Sequence, residues 1–400
     1  MKIDTGDTTW LLVSTALVML MTPALAIFYG GMVRTKNILA TIMQSFVSLG
    51  VISILWVVYG YSLSFGPDVH HFIGNLDWVM LRHVTMEPYP FYSATIPHQL
   101  FMLFQMMFAV ITPALITGAF AERFKFKSYL AFLVIWFTLV YCPIAHWVWG
   151  QGGWIKQLGG LDFAGGMVVH IASGISALVV VLAIGKRIGW KKDPIHPHNL
   201  SLTLLGASLL WFGWFGFNAG SALGANALAV KAFLTTQLSA AAGCLGWLLV
   251  EWKRHGKPTV LGIASGAVAG LVSITPAAGY VDPIWAMVIG FVGGIVCFFA
   301  VRSKFKLNID DSLDAVGIHG IGGIWGSIAT GIFASTGLIV GNMHLLKVQV
   351  VCTFATILYC LVMTSVIIIV LDKTMGIRVT KDEEVLGLDI SQHGERGYNL

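Results

Sequence analysis

Apolar runs of about 20 residues recur along the whole chain and are separated by short polar segments. A helix of about that length crosses the hydrocarbon core of a bilayer, which is about 30 Å thick. The pattern predicts eleven transmembrane helices, at roughly 9–31, 39–64, 99–121, 128–149, 163–185, 200–220, 228–250, 259–276, 284–301, 315–334 and 349–371. We therefore expect an all-α integral membrane protein, in which the glycine-rich eighth and tenth helices have the least sharply marked ends.

The composition agrees with a membrane protein, because 56% of the 400 residues are hydrophobic and only 11% are charged. No soluble domain needs so large an apolar share. The first run is too long for the apolar part of a signal peptide, so it is expected to remain as the first span. All five cysteines fall within apolar runs. They are expected to be packing residues, since their spacing suggests neither a disulfide framework nor a metal site.

Lysine and arginine alternate between the two sides of the predicted helices. The connections after odd-numbered helices, with the C-terminal tail, hold 19 of the 24 basic residues, and the other side holds Lys2, Arg82, Lys156, Lys231 and Lys347. The positive-inside rule then predicts an N-terminus outside and a C-terminus in the cytoplasm, as in a multi-pass protein of the inner (cytoplasmic) membrane. Nucleic-acid binding is not predicted from the net charge of +5, because the basic residues are spread over short loops.

Two histidines lie within predicted helices, and each follows an acid by eight residues. Asp162 precedes His170 in helix five, and Asp311 precedes His319 in helix ten. An ionisable group at membrane depth is costly and is a functional-site hypothesis by default. Five helices per half is an odd number, so the second half must enter the membrane from the opposite side. This predicts two inverted five-helix repeats followed by one extra helix.

The same spacing predicts where the histidines lie in the membrane. At about 1.5 Å per residue, eight helical residues would place each histidine roughly 12 Å deep, near the midplane, where His170 and His319 could meet. A single buried histidine is more often a hydrogen-bonded core residue, but a symmetric pair favours a pathway. A metal site is the weaker third alternative, since zinc or iron needs three or four ligands. No metal and no cofactor is predicted.

Eight short motifs follow one another along the chain. They are FYGG at 28–31, RTKN at 34–37, WVVYGYS at 56–62, GAFAER at 118–123, PIAHWVWG at 143–150, LDFAGG at 161–166, GWFGFNAGS at 213–221 and GIHG at 317–320. Taken in order, these motifs resemble the ammonium transporter (Amt/Mep/Rh) family, and specifically its bacterial and archaeal Amt branch. The resemblance implies an eleven-helix protomer with its own pore, assembled as a homotrimer. It also implies transport of ammonium or ammonia, with methylammonium as an analogue, and no enzymatic activity.

The resemblance further implies the residues of an outer mouth. Trp149 and Ser221, at the outer ends of helices four and six, match an ammonium recruitment site together with Phe108. Phe108 and Phe217 match a pair of rings that gates the pore; Phe217 precedes Ser221 by four residues, so it lies one turn deeper on the same helix face. Alone, Trp149 would more often belong to an interfacial aromatic belt, and Phe108 to the core. The assignment therefore depends on the whole set.

Asp162 is the acid nearest this mouth, and two roles are open to it. A free carboxylate would attract cations, but at a helix start it is well suited to accept backbone N–H bonds. We favour the structural role, with long-range attraction as a secondary effect.

The expected mechanism depends on how ammonium differs from potassium, which has similar charge and size. Ammonium donates directional hydrogen bonds and can lose a proton, whereas a narrow apolar channel excludes any ion. Desolvated His170 and His319 should be neutral and able to bond ammonia. The cycle is recruitment as ammonium, deprotonation near the phenylalanines and passage of ammonia past the histidines. Passive ammonia flux and electrogenic transport, with the proton crossing by a separate route, are both compatible with it.

The polar composition of the C-terminal region divides the chain into a transporter domain, 1–371, and a cytoplasmic regulatory tail, 372–400. A charged tail is often disordered. Here Gly387, Asp389 and Tyr398 lie in segments that resemble the ordered C-terminal region of the family. That resemblance implies docking of a PII-type signalling protein.

The cytoplasmic face holds the remaining expectations. The resemblance implies that Asp314 lies at the inner exit, which a PII-type loop would plug. His196 and His198, in a proline-containing loop, are expected to be solvated surface residues. Besides these partners, the protein should contact only membrane lipid.

Two other classes of function compete with transport. An ammonium sensor would use the same fold to signal, but sensors of this type carry an appended domain. The 29 residues after the last predicted helix would not supply one, so a sensor would need a separate partner. A membrane enzyme would use the buried histidines to hold a metal, and the lack of further ligands in the pattern counts against it.

Overall fold

The computed structural model describes residues 2–398, and each of the eleven predicted spans corresponds to an apolar helix. Ten are long and apolar enough to cross a membrane, and the eighth is shorter, with 15 residues. In order, α1–α11 are Thr5–Met32, Thr35–Phe65, His98–Phe120, Phe126–Gln157, Gly166–Ile184, Leu200–Ala222, Ala227–His255, Val260–Ile274, Pro283–Leu307, Val316–Val340 and Met343–Met375. The prediction of an all-α membrane protein is confirmed.

Polar residues at the helix starts explain where several spans begin. The side chains of Asp4, Asn199, Asn226, Thr259 and Asn342 accept backbone N–H bonds from the first turns of α1, α6, α7, α8 and α11. Such caps satisfy amide groups that have no partner within the helix. The apolar runs therefore become helices at defined residues.

Helices α5 and α10 meet at the centre of the protein through glycines. A methyl group on Gly174 of α5 would lie 2.1 Å from the backbone nitrogen of Gly320 in α10. One on Gly323 would lie 3.0 Å from the Cβ atom of His170. Only glycine permits so close an approach, which brings the two histidine-bearing segments together.

The outer surface of the bundle is apolar along its length. On α11 an exposed stripe runs through Val350, Phe354, Leu358, Val362 and Val366, each four residues from the next. A soluble protein rarely exposes a contiguous apolar surface of this size, whereas a lipid-facing helix needs one. The protein is accordingly a multi-pass membrane protein.

The bundle has two ends, which we name by their residues. The Trp149 end carries Trp149, the start of α5 and the long connection 66–97, which includes the antiparallel strands β1 (Asp68–Val69) and β2 (Ile73–Gly74). The tail end carries the C-terminal region that follows α11.

The C-terminal region is folded rather than extended into solvent. It forms the short helix α12 (Lys381–Leu386) and a further turn at Asp389–His393. Its backbone also pairs with the connection before α4, because Arg378 and Phe124 form an isolated antiparallel β-bridge. The backbone N–H of Lys125 donates to the carbonyl of Ile377 at 2.9 Å.

Candidate functional site

A vestibule of about 420 Å³ opens at the Trp149 end. Its wall includes Trp149, Asp162 and Ser221, which the sequence predicted to lie together. The indole N–H of Trp149 donates to the backbone carbonyl of Asp162 at 2.9 Å, so the orientation of the ring is fixed. The Ser221 hydroxyl donates to the Phe217 carbonyl at 2.9 Å, which leaves its lone pairs free to accept from a bound N–H group.

The Asp162 carboxylate lies over the first amides of α5. One oxygen accepts from Gly165 at 2.8 Å and Gly166 at 2.6 Å, and the other accepts from Met167 at 2.7 Å and Val168 at 3.3 Å. Burial raises the pKa of Asp162 above its usual value, although these four N–H groups act in the opposite direction. This is the geometry of a helix cap. The residue Asp162 is 5% exposed.

The two phenylalanine rings that were predicted to gate the pore are in contact. The centroids of Phe108 and Phe217 are 4.4 Å apart, and both side chains are buried. Phe108 also meets Trp149 edge to face at 5.8 Å. Phe217 also lines the cavity beside His170 and His319, so a chain of contacts runs from Trp149 through the two rings to that cavity.

Below the rings lies the histidine pair. The Nδ1 atoms of His170 and His319 are 3.3 Å apart, and the rings are inclined by 24°. The cavity beside them has a volume of about 10 Å³, about the space that one water-sized molecule requires. Apart from the histidines, its walls are apolar or aromatic: Met21, Leu25, Phe28, Ile111, Leu115, Val169, Leu210, Trp214, Phe217 and Val268.

The prediction of eight helical residues between each aspartate and its histidine was wrong. α5 begins at Gly166 and α10 at Val316, so the chain from each aspartate to its histidine is helical only in its second half. The four residue steps from Gly166 to His170 correspond to a helical rise of about 6 Å. The aspartate caps the helix from the preceding loop instead of opening it.

Both histidines lie in a wide, π-type first turn, over Gly166–Ile171 and Val316–Ile321. Such turns are rare and often occur at functional sites. Asp311 caps α10 as Asp162 caps α5, through the amides of Ala315 and Val316 at 3.1 and 2.8 Å. The local symmetry thus extends beyond the sequence spacing.

Two residues near the pair and one residue of the vestibule were missed from the sequence. Thr275, at the end of α8, lies with its hydroxyl 3.3 Å from Nε2 of His170 and accepts from the indole of Trp214 at 3.0 Å. Trp214 was visible in the GWFGFNAGS motif but carried no assignment. Gln105 is buried, lines the vestibule and has a side-chain oxygen without a partner among the described residues. No signal in the sequence indicated Thr275 or Gln105.

No metal-ligand cluster accompanies the pair in the described part of the chain. Within residues 2–398, no three His, Cys, Asp or Glu side chains are grouped as ligands. The donor set at the centre is therefore two imidazoles and one hydroxyl.

At the tail end, Asp314 lines a second cavity of about 300 Å³. Its carboxylate forms an ion pair with Lys304. The Trp190 and Phe305 rings stack in the same wall, and Lys191 donates to the Phe305 carbonyl at 2.6 Å.

A buried ionic cluster ties the tail-end loops together. Glu122 pairs with Arg34 at 2.8 Å and with Arg187 at 3.2 Å, and Arg187 pairs with Asp310 at 2.8 Å. Burial would raise the pKa of Glu122, but Arg187 and Arg34 more than offset this and hold the pKa below its usual value. Opposite charges at such distances favour the ionised carboxylate.

The C-terminal residues named from the resemblance contact the start of α2. Asp389 accepts from the backbone N–H of Ala40 at 2.9 Å, and the N–H of Leu388 donates to the Asn37 side chain at 2.8 Å. Gly387 has φ +105°, and a side chain there would clash with Lys36 at 2.6 Å. Glycine is required at that position for both reasons.

The two loop histidines differ. His196 is exposed, as expected. The expectation for His198 was wrong, because its ring contacts the Val33 carbonyl at 2.8 Å and the Tyr398 hydroxyl at 3.1 Å. The fold of the C-terminal region supplies a partner that the loop sequence did not indicate.

Comparison with known proteins gives a consistent result. Residues 9–398 match the family model described as the Ammonium Transporter Family. An ammonium transporter of Bacillus subtilis (strain 168) is 53% identical over 404 residues, covering 98% of each chain. The ammonium transporter Amt1 of Archaeoglobus fulgidus is 50% identical over 399 residues, covering 98% of this chain and 99% of its own.

Solved structures agree with the fold. The crystal structure of Candida albicans Mep2 superposes with a TM-score of 0.90 at 37% identity, covering 99% of this chain and 91% of its own. A structure described as a sensor Amt protein superposes with a TM-score of 0.91 at 29% identity, covering 97% and 98%.

Proposed function

The chain belongs to the ammonium transporter family, and from that premise we propose that it recruits ammonium at Trp149 and Ser221 and conducts ammonia past His170 and His319. Ammonium transport, rather than an enzymatic reaction, is the function that its relatives carry in their names. The route and the roles of individual residues are our proposal.

One observation carries it: two imidazoles in contact inside a small apolar cavity, directly below a pair of closed rings. An unpaired cation there would lose its hydration and gain no carboxylate, so the centre excludes potassium and ammonium alike. Neutral ammonia loses far less on entering. It can donate to or accept from the ring nitrogens, which neutral imidazoles offer in both roles.

Recruitment occurs one step earlier, in the vestibule. An indole face attracts a compact cation by about 0.5–2 kcal/mol. The free lone pairs of the Ser221 hydroxyl, and the unpartnered oxygen of Gln105 in the same wall, suit the N–H donors of ammonium. Potassium donates no hydrogen bond, so these acceptors favour ammonium.

The proton must leave, either to solvent water in the vestibule or to a separate proton route, before the substrate passes the rings of Phe108 and Phe217. Below them, among the residues that the structure describes, the titratable groups that line the cavity are the two imidazoles. Asp162 supports this arrangement by holding the first turn of α5, which carries His170. Passive ammonia flux and transport coupled to a separate proton route both fit this sequence of events.

We further propose that the Trp149 end faces outward and the tail end faces the cytoplasm, as the distribution of basic residues indicates. Three protomers associate, each with its own pore. Residues 1–371 form the transporter domain and 372–400 the regulatory tail, where Gly387, Asp389 and Tyr398 hold the C-terminal region for a PII-type protein. Asp314 lies at the exit that such a protein would close.

The central test compares ammonium and potassium flux in proteoliposomes. His170→Ala with His319→Ala should abolish most ammonium flux. The matched control, Leu115→Ala with Leu210→Ala, widens the same cavity but keeps both imidazoles, and it should retain ammonium flux. If the double histidine variant transports ammonium normally and still excludes potassium, the proposed route is wrong.

A second candidate, an ammonium sensor, is favoured by the likeness to the sensor Amt protein. A sensor would bind ammonium at the vestibule but conduct little. Saturable binding without saturable uptake by the wild-type protein would favour the sensor, whereas uptake at a transporter's rate would exclude a purely sensing role.

A further inference from the structure

A lysine lies in the wall of the vestibule that is proposed to gather cations. The Lys156 Nζ atom donates to the Trp149 carbonyl at 3.2 Å, and it lies 4.4 Å from the centroid of the Phe91 ring. Lys156 and Asp162 are the two charged residues among those that line the vestibule. The Asp162 carboxylate is occupied by four backbone N–H groups.

The charge on Lys156 has no carboxylate partner among residues 2–398. Lys231, at the same end, is paired with Asp282 at 3.1 Å. A carbonyl and an aromatic face hold the Lys156 ammonium in place without neutralising it. A fixed positive charge therefore stands beside a site for a positive substrate.

We propose that Lys156 sets the affinity of the vestibule for ammonium by electrostatic repulsion; this rests on the proposed recruitment at Trp149 and Ser221. The lysine also occupies the Phe91 face, which would otherwise be open to cations. A permeation site must bind its substrate well enough to admit it and weakly enough to release it. Repulsion by Lys156 lowers the affinity of the outer site for ammonium, so that the bound ion is released readily.

The expected size of the effect follows from Coulomb's law. Two unit charges about 6–10 Å apart in water-like surroundings repel enough to change binding by about two- to threefold, and by more if the vestibule is drier. Salt screens this repulsion, because the Debye length falls from about 10 Å at 0.1 M to about 3 Å at 1 M. The effect of the lysine should therefore fade as the ionic strength rises.

The first experiment measures half-saturating ammonium and methylammonium for the full-length protein in proteoliposomes, at low and high salt. Lys156→Gln should lower the half-saturating concentration by about two- to fivefold at low salt and by much less at high salt. Lys156→Arg should behave as the wild type. The control Lys347→Gln removes an exposed charge at the same end but outside the vestibule, and it should change little.

A second experiment separates charge from packing. Lys156→Cys is labelled with a cationic or an anionic methanethiosulfonate reagent of similar size, with the unsubstituted protein treated in parallel. The cationic label should restore the wild-type affinity, and the anionic label should raise affinity beyond that of Lys156→Gln. Equal affinities after the two labels would overturn the inference and leave Lys156 a packing residue.

The two proposals fail in different ways. A wild-type protein without saturable uptake refutes the proposed function and this inference with it. If the wild type shows saturable uptake that Trp149→Leu weakens, while Lys156→Gln leaves it unchanged at low salt, the recruitment site stands and only the role of Lys156 is refuted.

Discussion

Replacing Asp162 distinguishes its two possible roles. Asp162→Ala removes the acceptor for four amides at the start of α5. Asp162→Asn keeps one oxygen, which serves Gly165 and Gly166, but turns an NH₂ group toward the amides of Met167 and Val168. A helix cap therefore predicts a graded loss of stability, with alanine worse than asparagine.

The magnitude follows from the acceptors rather than from the charge. Burial raises the pKa of Asp162, so burial does not favour its charged form. A buried N–H group left without a partner costs about 1–3 kcal/mol. Vestibule water can reach part of this segment, so we expect about 2–4 kcal/mol in all for Asp162→Ala, and about half of that for Asp162→Asn.

The assay is thermal unfolding of the purified protein, followed by tryptophan fluorescence, in parallel with methylammonium flux. Asp282→Ala is the matched control, since Asp282 precedes α9 at its N-cap position but makes no capping bond with its side chain. Both Asp162 variants should unfold at lower temperature and lose flux together, because the frayed turn carries His170. If Asp162→Ala unfolds like the wild type and only its ammonium affinity falls, the carboxylate acts by attraction and the capping argument is refuted.

Three further predictions concern the mouth, the ionic cluster and the tail. Trp149→Leu should weaken apparent ammonium affinity and Ser221→Ala should do so more mildly, since a neutral hydrogen bond contributes about 0.5–1.5 kcal/mol; a substrate titration that is unchanged in both removes the recruitment assignment. Glu122→Gln should destabilise the protein by about 3 kcal/mol, because it removes a negative charge that pairs with the buried Arg187. The pKa of Glu122 is lower in the folded protein than in the unfolded chain. Its contribution to the free energy of unfolding is therefore fully present at a pH above the pKa of the unfolded state, and it is lost as the pH falls through the pKa of the folded state. The wild-type unfolding temperature should thus fall on acidification below about pH 4, and it should fall less in Glu122→Gln. Truncation after Leu371 should abolish binding of a PII-type protein or lower transport, whereas full binding with normal flux would leave residues 372–400 without a role.

The sequence was sufficient for the helices and for the central contact. An apolar run of about 20 residues crosses a bilayer as a helix, in which all backbone groups are hydrogen-bonded. The number and positions of the helices could therefore be predicted from these runs. The symmetric spacing of Asp162–His170 and Asp311–His319 predicted that the histidines could meet, and their Nδ1 atoms lie 3.3 Å apart. It did not reveal that each aspartate caps its helix from a preceding loop, because that depends on where the first turn forms.

Contacts between distant segments could not be predicted in the same way. Thr275 reaches His170 and Trp214 because α8 is short and ends beside α5 and α6, which no local pattern indicates. The basic residue Lys156 counted only toward topology in the sequence, because its contacts with the Phe91 ring and the Trp149 carbonyl form only in the fold. The sequence around His198 is that of a surface loop, and only the fold shows its contact with the Tyr398 hydroxyl.

The contact between Asp389 and Ala40 also bears on how the protein is made. The helix that enters the membrane second has an amide of its first turn satisfied by a residue 349 positions later in the chain. During synthesis α2 is inserted long before its cap exists, and a chain released early never receives it. The acceptor for the Ala40 amide is therefore made only after nearly the whole chain has been synthesised, so the start of α2 gains this hydrogen bond long after the rest of that helix has formed.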